Sequence, residues 1–151
     1  MTDPHAHSSR HEPASVFSGH PVLTGAAVGV VSLAPHFFLT VEASLAFAAI
    51  LISLIAGIYF GFAVVNGSQR EQLIEFSVAG AFAIAGLVGF LVWPILLPLA
   101  YFAHAAWDAA HHNRAKLSLV SIPQWYVPWC VVIDVIVGAG LVVLWLNKGI
   151  L

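Results

Sequence analysis

The chain has 151 residues, of which 60% are hydrophobic and 8% are charged. A soluble domain carries about 25% charged residues, so this composition excludes an ordinary soluble protein and indicates an integral membrane protein. The net charge of −2 gives no basic surface for nucleic acid, so we expect no nucleic-acid partner. The single cysteine, Cys130, excludes an internal disulfide and a zinc site made of cysteines alone.

The first 20 residues form a polar segment rich in histidine, serine and proline. The segment lacks the basic, apolar and small-residue succession of a signal peptide, and we expect a mobile N-terminal tail before one transmembrane domain over residues 21–151. The tail histidines His5, His7, His11 and His20 could collect metal ions, but a flexible tail is a poor candidate for a defined site.

Five apolar stretches follow the tail, each near the roughly 20 residues that a helix needs to cross about 30 Å of hydrocarbon. Because a proline cannot donate the helical hydrogen bond, the corner between the third and fourth stretches is predicted at Trp93-Pro94. The sequence therefore predicts an all-α, polytopic transmembrane helix bundle of about five spans, over residues 21–40, 42–65, 73–92, 94–112 and 129–146.

Glycine pairs four residues apart occur in the first two spans, and this spacing lets helix backbones approach closely. The pairs are Gly25 with Gly29 and Gly57 with Gly61. Between the second and third spans, the short polar segment 66–72 is predicted to be a surface turn. Before the fifth span, Pro123 and Pro128 bracket aromatic residues typical of a membrane interface.

Five spans place the N-terminal tail and the loops 66–72 and 113–124 on one side of the membrane. That side carries four basic residues, Arg10, Arg70, Arg114 and Lys116, whereas the other side carries only Lys148. Basic residues accumulate on the cytoplasmic side of membrane proteins, so the sequence predicts a cytoplasmic N-terminus.

The segment 104–112 holds the densest group of ionisable side chains in the apolar part of the chain. On a helix that turns roughly 100° per residue, its three histidines and one aspartate fall within an arc of about 100°. Imidazoles and a carboxylate on one face are suitable ligands for a transition metal. The candidate metal ligands are His104, Asp108, His111 and His112.

Two further acids lie at similar depth in neighbouring spans. Glu75 opens the third span, and Asp134 lies about two turns into the fifth. An ionisable group at the bilayer centre costs on the order of 3 kcal/mol, so such groups usually face the bundle interior in pairs. We expect Glu75 and Asp134 to complete a six-residue site, as catalytic general bases, as further ligands or as partners that orient the imidazoles.

Other polar residues are weaker candidates for function. We expect His36 and Glu42 to be solvated at the turn between the first two spans. Cys130 lies one helical turn before Asp134 and could be a soft ligand, although a buried structural thiol is the favoured interpretation. Tyr59 and Tyr101 could donate hydrogen bonds into the bundle, although packing also explains both.

These residues also carry a resemblance to a known family. Glu75-Phe76, the His-x-x-Trp-Asp-x-x-His-His pattern at residues 104–112 and the Cys-x-x-x-Asp pattern at residues 130–134 are similar to an uncharacterised family of small bacterial multi-span membrane proteins of unknown function. The likeness covers about the last 85 residues, and it differs after His112, where Asn113-Arg-Ala-Lys replaces a Tyr-Gly-containing loop. The resemblance implies a bacterial inner membrane location but no activity.

The favoured hypothesis is an intramembrane site for Zn(II), Fe(II) or Mn(II), with room for two ions. Such a site could activate water or dioxygen against a lipid-soluble small molecule, but whether the protein is an enzyme is left open at this point. A proton or ion pathway, a haem protein with His104 as axial ligand, and an accessory subunit with a structural polar cluster are the alternatives. Haem ranks lower because carboxylates crowd the histidine. Besides the lipid bilayer, a homo-oligomer or a membrane complex is a possible partner.

Overall fold

A computed structural model describes residues 15–151, and within this range the regular structure is entirely helical. Residues 1–14, with most of the predicted tail and its histidines His5, His7 and His11, lie outside the described residues. The helices are α1 (Val16–Gly19), α2 (Pro21–Leu33), α3 (Val41–Asn66), α4 (Gln69–Leu91), α5 (Leu96–Ala110), α6 (Arg114–Leu117) and α7 (Tyr126–Asn147), with 3₁₀ turns at Ala34–Phe37 and His111–Asn113. The predicted all-α bundle is confirmed.

Three helices, α3, α4 and α7, are long and apolar enough to cross a membrane. The apolar segment formed by α2 and its 3₁₀ turn is shorter, and α5 has 15 residues. The chain thus has the composition and helices of a membrane protein, whereas five complete crossings stay a prediction.

The helices pack as two antiparallel pairs with a fifth helix on one side. Helix α3 packs on α4, α5 packs on α7, and α2 packs on the other flank of α7. Helices α4 and α5 join the two pairs. The central core consists of large apolar side chains from α3, α5 and α7, including Ile52, Leu97, Val137, Leu141 and Trp145.

The connection between α3 and α4 is shorter than the sequence indicated. Helix α4 begins at Gln69 because Ser68 and Glu71 form a reciprocal capping box, so only Gly67 and Ser68 separate α3 from α4. The predicted corner at Trp93-Pro94 is confirmed, since α4 ends at Leu91 and α5 begins at Leu96. Pro128 lies inside the first turn of α7, where a missing N–H costs no helical hydrogen bond.

Only one of the two glycine pairs serves close helix packing. A Cβ added to Gly25 would lie 2.6 Å from the Trp129 carbonyl oxygen, and one added to Gly29 would lie 3.1 Å from Ile136. These glycines therefore set the distance between α2 and α7. A Cβ on Gly57 or Gly61 would meet nothing within 4 Å among residues 15–151, so the expectation for that pair was wrong.

Two contacts define the ends of the bundle. The Asn66 side chain donates to the Ser121 carbonyl oxygen at 3.3 Å, so the start of α4, with Arg70, lies at the same end as the connection from α5 to α7, with Arg114 and Lys116. At the other end, the Lys148 ammonium donates to the His36 carbonyl oxygen at 2.7 Å. The predicted grouping of these basic residues is therefore correct.

Candidate metal centre

Helix α5 and the 3₁₀ turn that follows it present three polar residues to the bundle interior. His104, Asp108 and His111 are separated by four and three residues, which places them on one helical face, and all three are buried. His112 is exposed. The α-helix ends at Ala110 and residues 111–113 form a 3₁₀ turn, whose larger rotation per residue carries His112 away from that face. Of the four predicted metal ligands, three therefore share one buried face.

A first polar group, which we call the aspartate group, consists of His104, Asp108 and Asp134. The His104 Nδ1 atom lies 2.8 Å from Asp134 Oδ2 and 3.5 Å from Asp108 Oδ2, and all three side chains have no solvent exposure. One ligand atom from each residue lies within 4.8 Å of the other two. The spacing of these atoms could hold a metal ion.

Tyr59 on α3 extends the aspartate group to a third helix. Its hydroxyl donates to Asp108 Oδ1, and its side chain is 1% exposed. Tyr59 is not among the six site residues predicted above, because packing in the bundle also explains a tyrosine at this position. Its phenolic hydroxyl within an otherwise apolar helix was the available signal, because a buried tyrosine hydroxyl usually finds a hydrogen-bond partner.

The aspartate group holds two carboxyl groups and only one basic side chain. Two buried carboxylates face one imidazole, which supplies at most one positive charge. Burial of an uncompensated charge is costly, so buried acids normally have partners of opposite charge. Among residues 15–151 the lysines and arginines are all exposed, and they are Arg70, Arg114, Lys116 and Lys148. A bound cation would supply the missing charge.

The second polar group, the glutamate group, consists of Glu75 and His111 with their hydrogen-bond donors. His111 Nε2 lies 3.1 Å from Glu75 Oε1, and His111 Nδ1 lies 3.0 Å from the Trp107 carbonyl oxygen. The backbone N–H of Val120 donates to Glu75 Oε1, and the Trp107 indole donates to Oε2, both at 3.3 Å. Every polar atom of Glu75 and His111 therefore has a partner.

The partners in the glutamate group also decide where its protons lie. A carbonyl oxygen can only accept, so His111 Nδ1 carries a hydrogen. His111 Nε2 and Glu75 Oε1 lie 3.1 Å apart and share one hydrogen, so the two side chains form a buried hydrogen-bonded pair without net charge. Glu75 and His111 are thus separate from the aspartate group, and Tyr59 lies between the two groups, with ring centroids 5.7 Å from His104 and 4.8 Å from His111.

Cys130 is buried and free, and it packs with Tyr59, Val127 and Tyr126 near the aspartate group. His112 lines a surface cavity of about 390 Å³ together with His111, Arg114 and Gln124. His111 therefore forms the boundary between this surface cavity and the buried Glu75. The structure brings Glu75, His104, Asp108, His111 and Asp134 into one half of the bundle as two groups.

The expectation of a solvated His36 was wrong. His36 has no solvent exposure, its Nδ1 atom lies 2.7 Å from Ser44 Oγ, and its ring packs edge-on against Phe47 and Trp145. The Trp145 indole donates to the same Ser44 oxygen at 2.9 Å. The 3₁₀ turn after α2 folds His36 under α3 and α7, whereas Glu42 remains exposed as expected. Sequence periodicity does not reveal this turn.

The space beside His104 is too small for haem. Ala56, Tyr59, Glu75, Phe82 and Trp107 line a cleft next to the imidazole that has no room for a water molecule. An axial histidine in a haem protein needs an open pocket beside its ring. The geometry is compatible with a single ion and not with a macrocycle.

Comparison of the chain with models of protein families, with curated proteins and with solved structures finds no match.

Proposed function

We propose that this protein is a multi-pass integral membrane protein that binds one divalent transition-metal ion through His104, Asp108 and Asp134. The observation that carries the proposal is the convergence of two buried carboxyl groups and an imidazole in the aspartate group. Two carboxylates and one imidazole converge with no lysine or arginine near them in the described part of the chain. A divalent cation neutralises both carboxylates, which removes the cost of burying them.

The distances between the ligand atoms support this proposal. Metal bonds of 2.0–2.2 Å at tetrahedral angles separate neighbouring ligand atoms by about 3.3–3.6 Å. His104 Nδ1 is 3.5 Å from Asp108 Oδ2, which lies within this range, and 2.8 Å from Asp134 Oδ2, a distance that would have to lengthen by about half an ångström. The ion would replace the proton that His104 and Asp134 share.

The ligand set indicates which ions are suitable and what they could do. One nitrogen and two carboxylate oxygens suit Mn(II), Fe(II) or Zn(II), and no thiolate is required. Three protein ligands leave a coordination position free, as in catalytic sites, where the ion acidifies a bound water or polarises a substrate. We therefore propose a catalytic role for the site, with Tyr59 as the residue that orients Asp108.

Two features of the sequence complete the proposal. The end of the bundle with Arg70, Arg114 and Lys116 is proposed to face the cytoplasm, which puts the metal in the cytoplasmic third of the membrane. The resemblance of residues 75–134 to small bacterial membrane proteins supports a bacterial inner membrane as the location.

Glu75, whose carboxyl oxygens are hydrogen-bonded to His111, Val120 and Trp107, is proposed to hold the helices next to the site rather than to bind the ion.

Elemental analysis of the protein tests the proposal. The protein is purified in mild detergent, incubated with Mn(II), Fe(II) or Zn(II) and freed of unbound ions. We expect about one ion per chain in the parent and less than a tenth of that in His104→Ala and Asp134→Asn. His112→Ala is the matched control, because it removes an exposed histidine and should keep the full ion content. A folded parent that binds none of the three ions would overturn the proposal.

Proton transfer is a second candidate, and the position of His111 is the observation that favours it. His111 borders the surface cavity on one side and contacts Glu75 on the other, and buried histidine and carboxylate pairs form proton relays in membrane proteins. Proteoliposomes with an internal pH-sensitive dye test this function. Proton flux that is lost in Glu75→Gln, together with an absence of bound metal, would support proton transfer over metal binding.

A further inference from the structure

A cavity opens between α2, α3 and α7 and reaches the aspartate group. It has a volume of about 170 Å³. Helix α2 packs on α7 through Gly25 and Gly29, whereas α3 packs on α4, so α2 and α3 stand apart above α7. Apolar side chains from α2 and α3 form the outer walls: Val28, Leu51, Ile55 and Ile58. The cavity therefore faces the hydrocarbon of the membrane.

The inner end of the cavity is polar. Tyr126, Trp129, Cys130 and Asp134 line it, all from α7. Asp134 accepts from His104 through Oδ2, but its Oδ1 atom has no hydrogen-bond partner among residues 15–151. The buried indole nitrogen of Trp129 and the buried hydroxyl of Tyr126 also lack a partner in this part of the chain. A buried polar group without a partner is unfavourable, so a missing acceptor and a missing donor at one cavity indicate a ligand.

We propose that this cavity binds a lipid-soluble molecule with a hydroxyl group, an alcohol or a phenol. A hydroxyl both donates and accepts. In this cavity it can donate to Asp134 Oδ1 and accept from the Trp129 indole or from the Tyr126 hydroxyl. A ketone would leave Asp134 Oδ1 without a donor, and a hydrocarbon would leave all three atoms without a partner.

The size and position of the cavity fit the head of such a molecule. A dry apolar cavity of about 150 Å³ binds benzene, so about 170 Å³ accommodates one ring or a short chain, and the remaining tail would extend between α2 and α3 into lipid. Ile58 at the rim is 44% exposed, which marks the side from which the molecule enters.

Asp134 belongs to both the cavity and the aspartate group. A hydroxyl hydrogen-bonded to Asp134 Oδ1 would lie beside the proposed metal, which makes the alcohol or phenol a candidate substrate. The proposal rests on the proposed function only for the chemistry that follows binding. Binding itself requires the cavity, Asp134 and Trp129, and it can be measured without an ion.

Photolabelling tests the proposal in the purified protein, both with chelator and after metal loading. The probe is a long-chain alcohol that carries a diazirine, and the labelled peptides are identified by mass spectrometry. We expect labels on residues 126–134 and on α2 or α3. 4-Hexylphenol should block the labelling at concentrations at least tenfold lower than hexylbenzene, because the two competitors differ only in the hydroxyl.

Three variants make the test specific. Val28→Phe fills the cavity and should reduce labelling at least fivefold, whereas Val30→Phe, on the exposed face of the same helix, should leave it unchanged. Trp129→Phe keeps an aromatic side chain but removes the indole N–H donor, so it should raise the blocking concentration of 4-hexylphenol roughly fivefold. The blocking concentration of hexylbenzene, which has no hydroxyl, should not change.

Equal competition by the phenol and the hydrocarbon, or labelling that Val28→Phe does not reduce, would overturn the proposal. Labelling with the expected specificity in a protein that binds no metal would support this ligand site and refute only the metal. Metal binding without specific labelling would support the metal site and refute the ligand site.

Discussion

The hydroxyl of Tyr59 donates a hydrogen bond to Asp108 Oδ1 and so joins α3 to α5 at the aspartate group. The two residues are 49 positions apart in the chain, and both are buried. This bond fixes one oxygen of Asp108 and leaves the other, Oδ2, directed to the His104 side of the group at 3.5 Å from Nδ1. Tyr59 therefore sets the orientation of a proposed metal ligand.

Replacement of Tyr59 by phenylalanine should weaken metal binding about 10- to 100-fold, because partners that orient a ligand commonly contribute this much. It should also lower the free energy of unfolding by about 1–3 kcal/mol, since Asp108 Oδ1 loses its donor. Isothermal titration and thermal unfolding in detergent measure the two effects. The control is Tyr101→Phe, which removes a bond to the Ala48 carbonyl oxygen and should change stability alone.

Metal addition should raise the unfolding temperature of the parent protein but not that of Asp134→Asn. A ligand that binds only the folded state adds about 2.7 kcal/mol of stability at a concentration 100 times its dissociation constant. Differential scanning fluorimetry with and without Mn(II), Fe(II) or Zn(II) measures the shift. An equal shift in parent and variant would show that the ion binds elsewhere.

Loss of the charge on Glu75 should destabilise the protein without removing the metal. In Glu75→Gln the buried His111 loses its acidic partner, and removal of one partner of a buried pair costs about 3–5 kcal/mol. Chemical unfolding and elemental analysis of the same sample separate the effects. Glu42→Gln, an exposed acid at the other end of the bundle, should change stability by less than about 0.5 kcal/mol. Metal loss at unchanged stability would instead assign Glu75 to the metal site.

Ser44 should matter for stability and not for metal binding. Ser44→Ala removes the acceptor of the Trp145 indole and the partner of His36, so we expect a loss of about 1–3 kcal/mol. The matched variant Ser77→Ala removes an exposed hydroxyl that bonds only within its own helix, and it should have little effect. Unfolding curves of the two variants give the comparison.

Two glycine substitutions should have opposite effects on folding. Gly25→Ala would place a methyl group 2.6 Å from the Trp129 carbonyl oxygen, so α2 must move from α7 at a cost of about 1–3 kcal/mol. Gly57→Ala meets nothing within 4 Å in the described structure and should be neutral or gain up to about 1 kcal/mol in helix propensity. A neutral Gly25→Ala would contradict the packing of α2 on α7.

The sequence by itself determined the helical membrane class and the location of most polar residues in the bundle. Long apolar runs and prolines are local signals, since hydrocarbon demands internal hydrogen bonds from each segment and proline cannot continue a helix. The same logic placed Glu75, His104, Asp108, His111 and Asp134 in one half of the bundle, because depth along a helix follows from residue number.

Only the tertiary structure decided how these residues are grouped. The rotation of each helix about its axis depends on packing against its neighbours, so the sequence could not pair Glu75 with His111 and Asp134 with His104. Tyr59 joined Asp108 for the same reason, since the two lie on different helices. The turns that bury His36 and expose His112 are short 3₁₀ segments without a periodic signal. A predicted single site of six residues thus became two groups, the glutamate group and the aspartate group, of which we propose that only the second binds the metal.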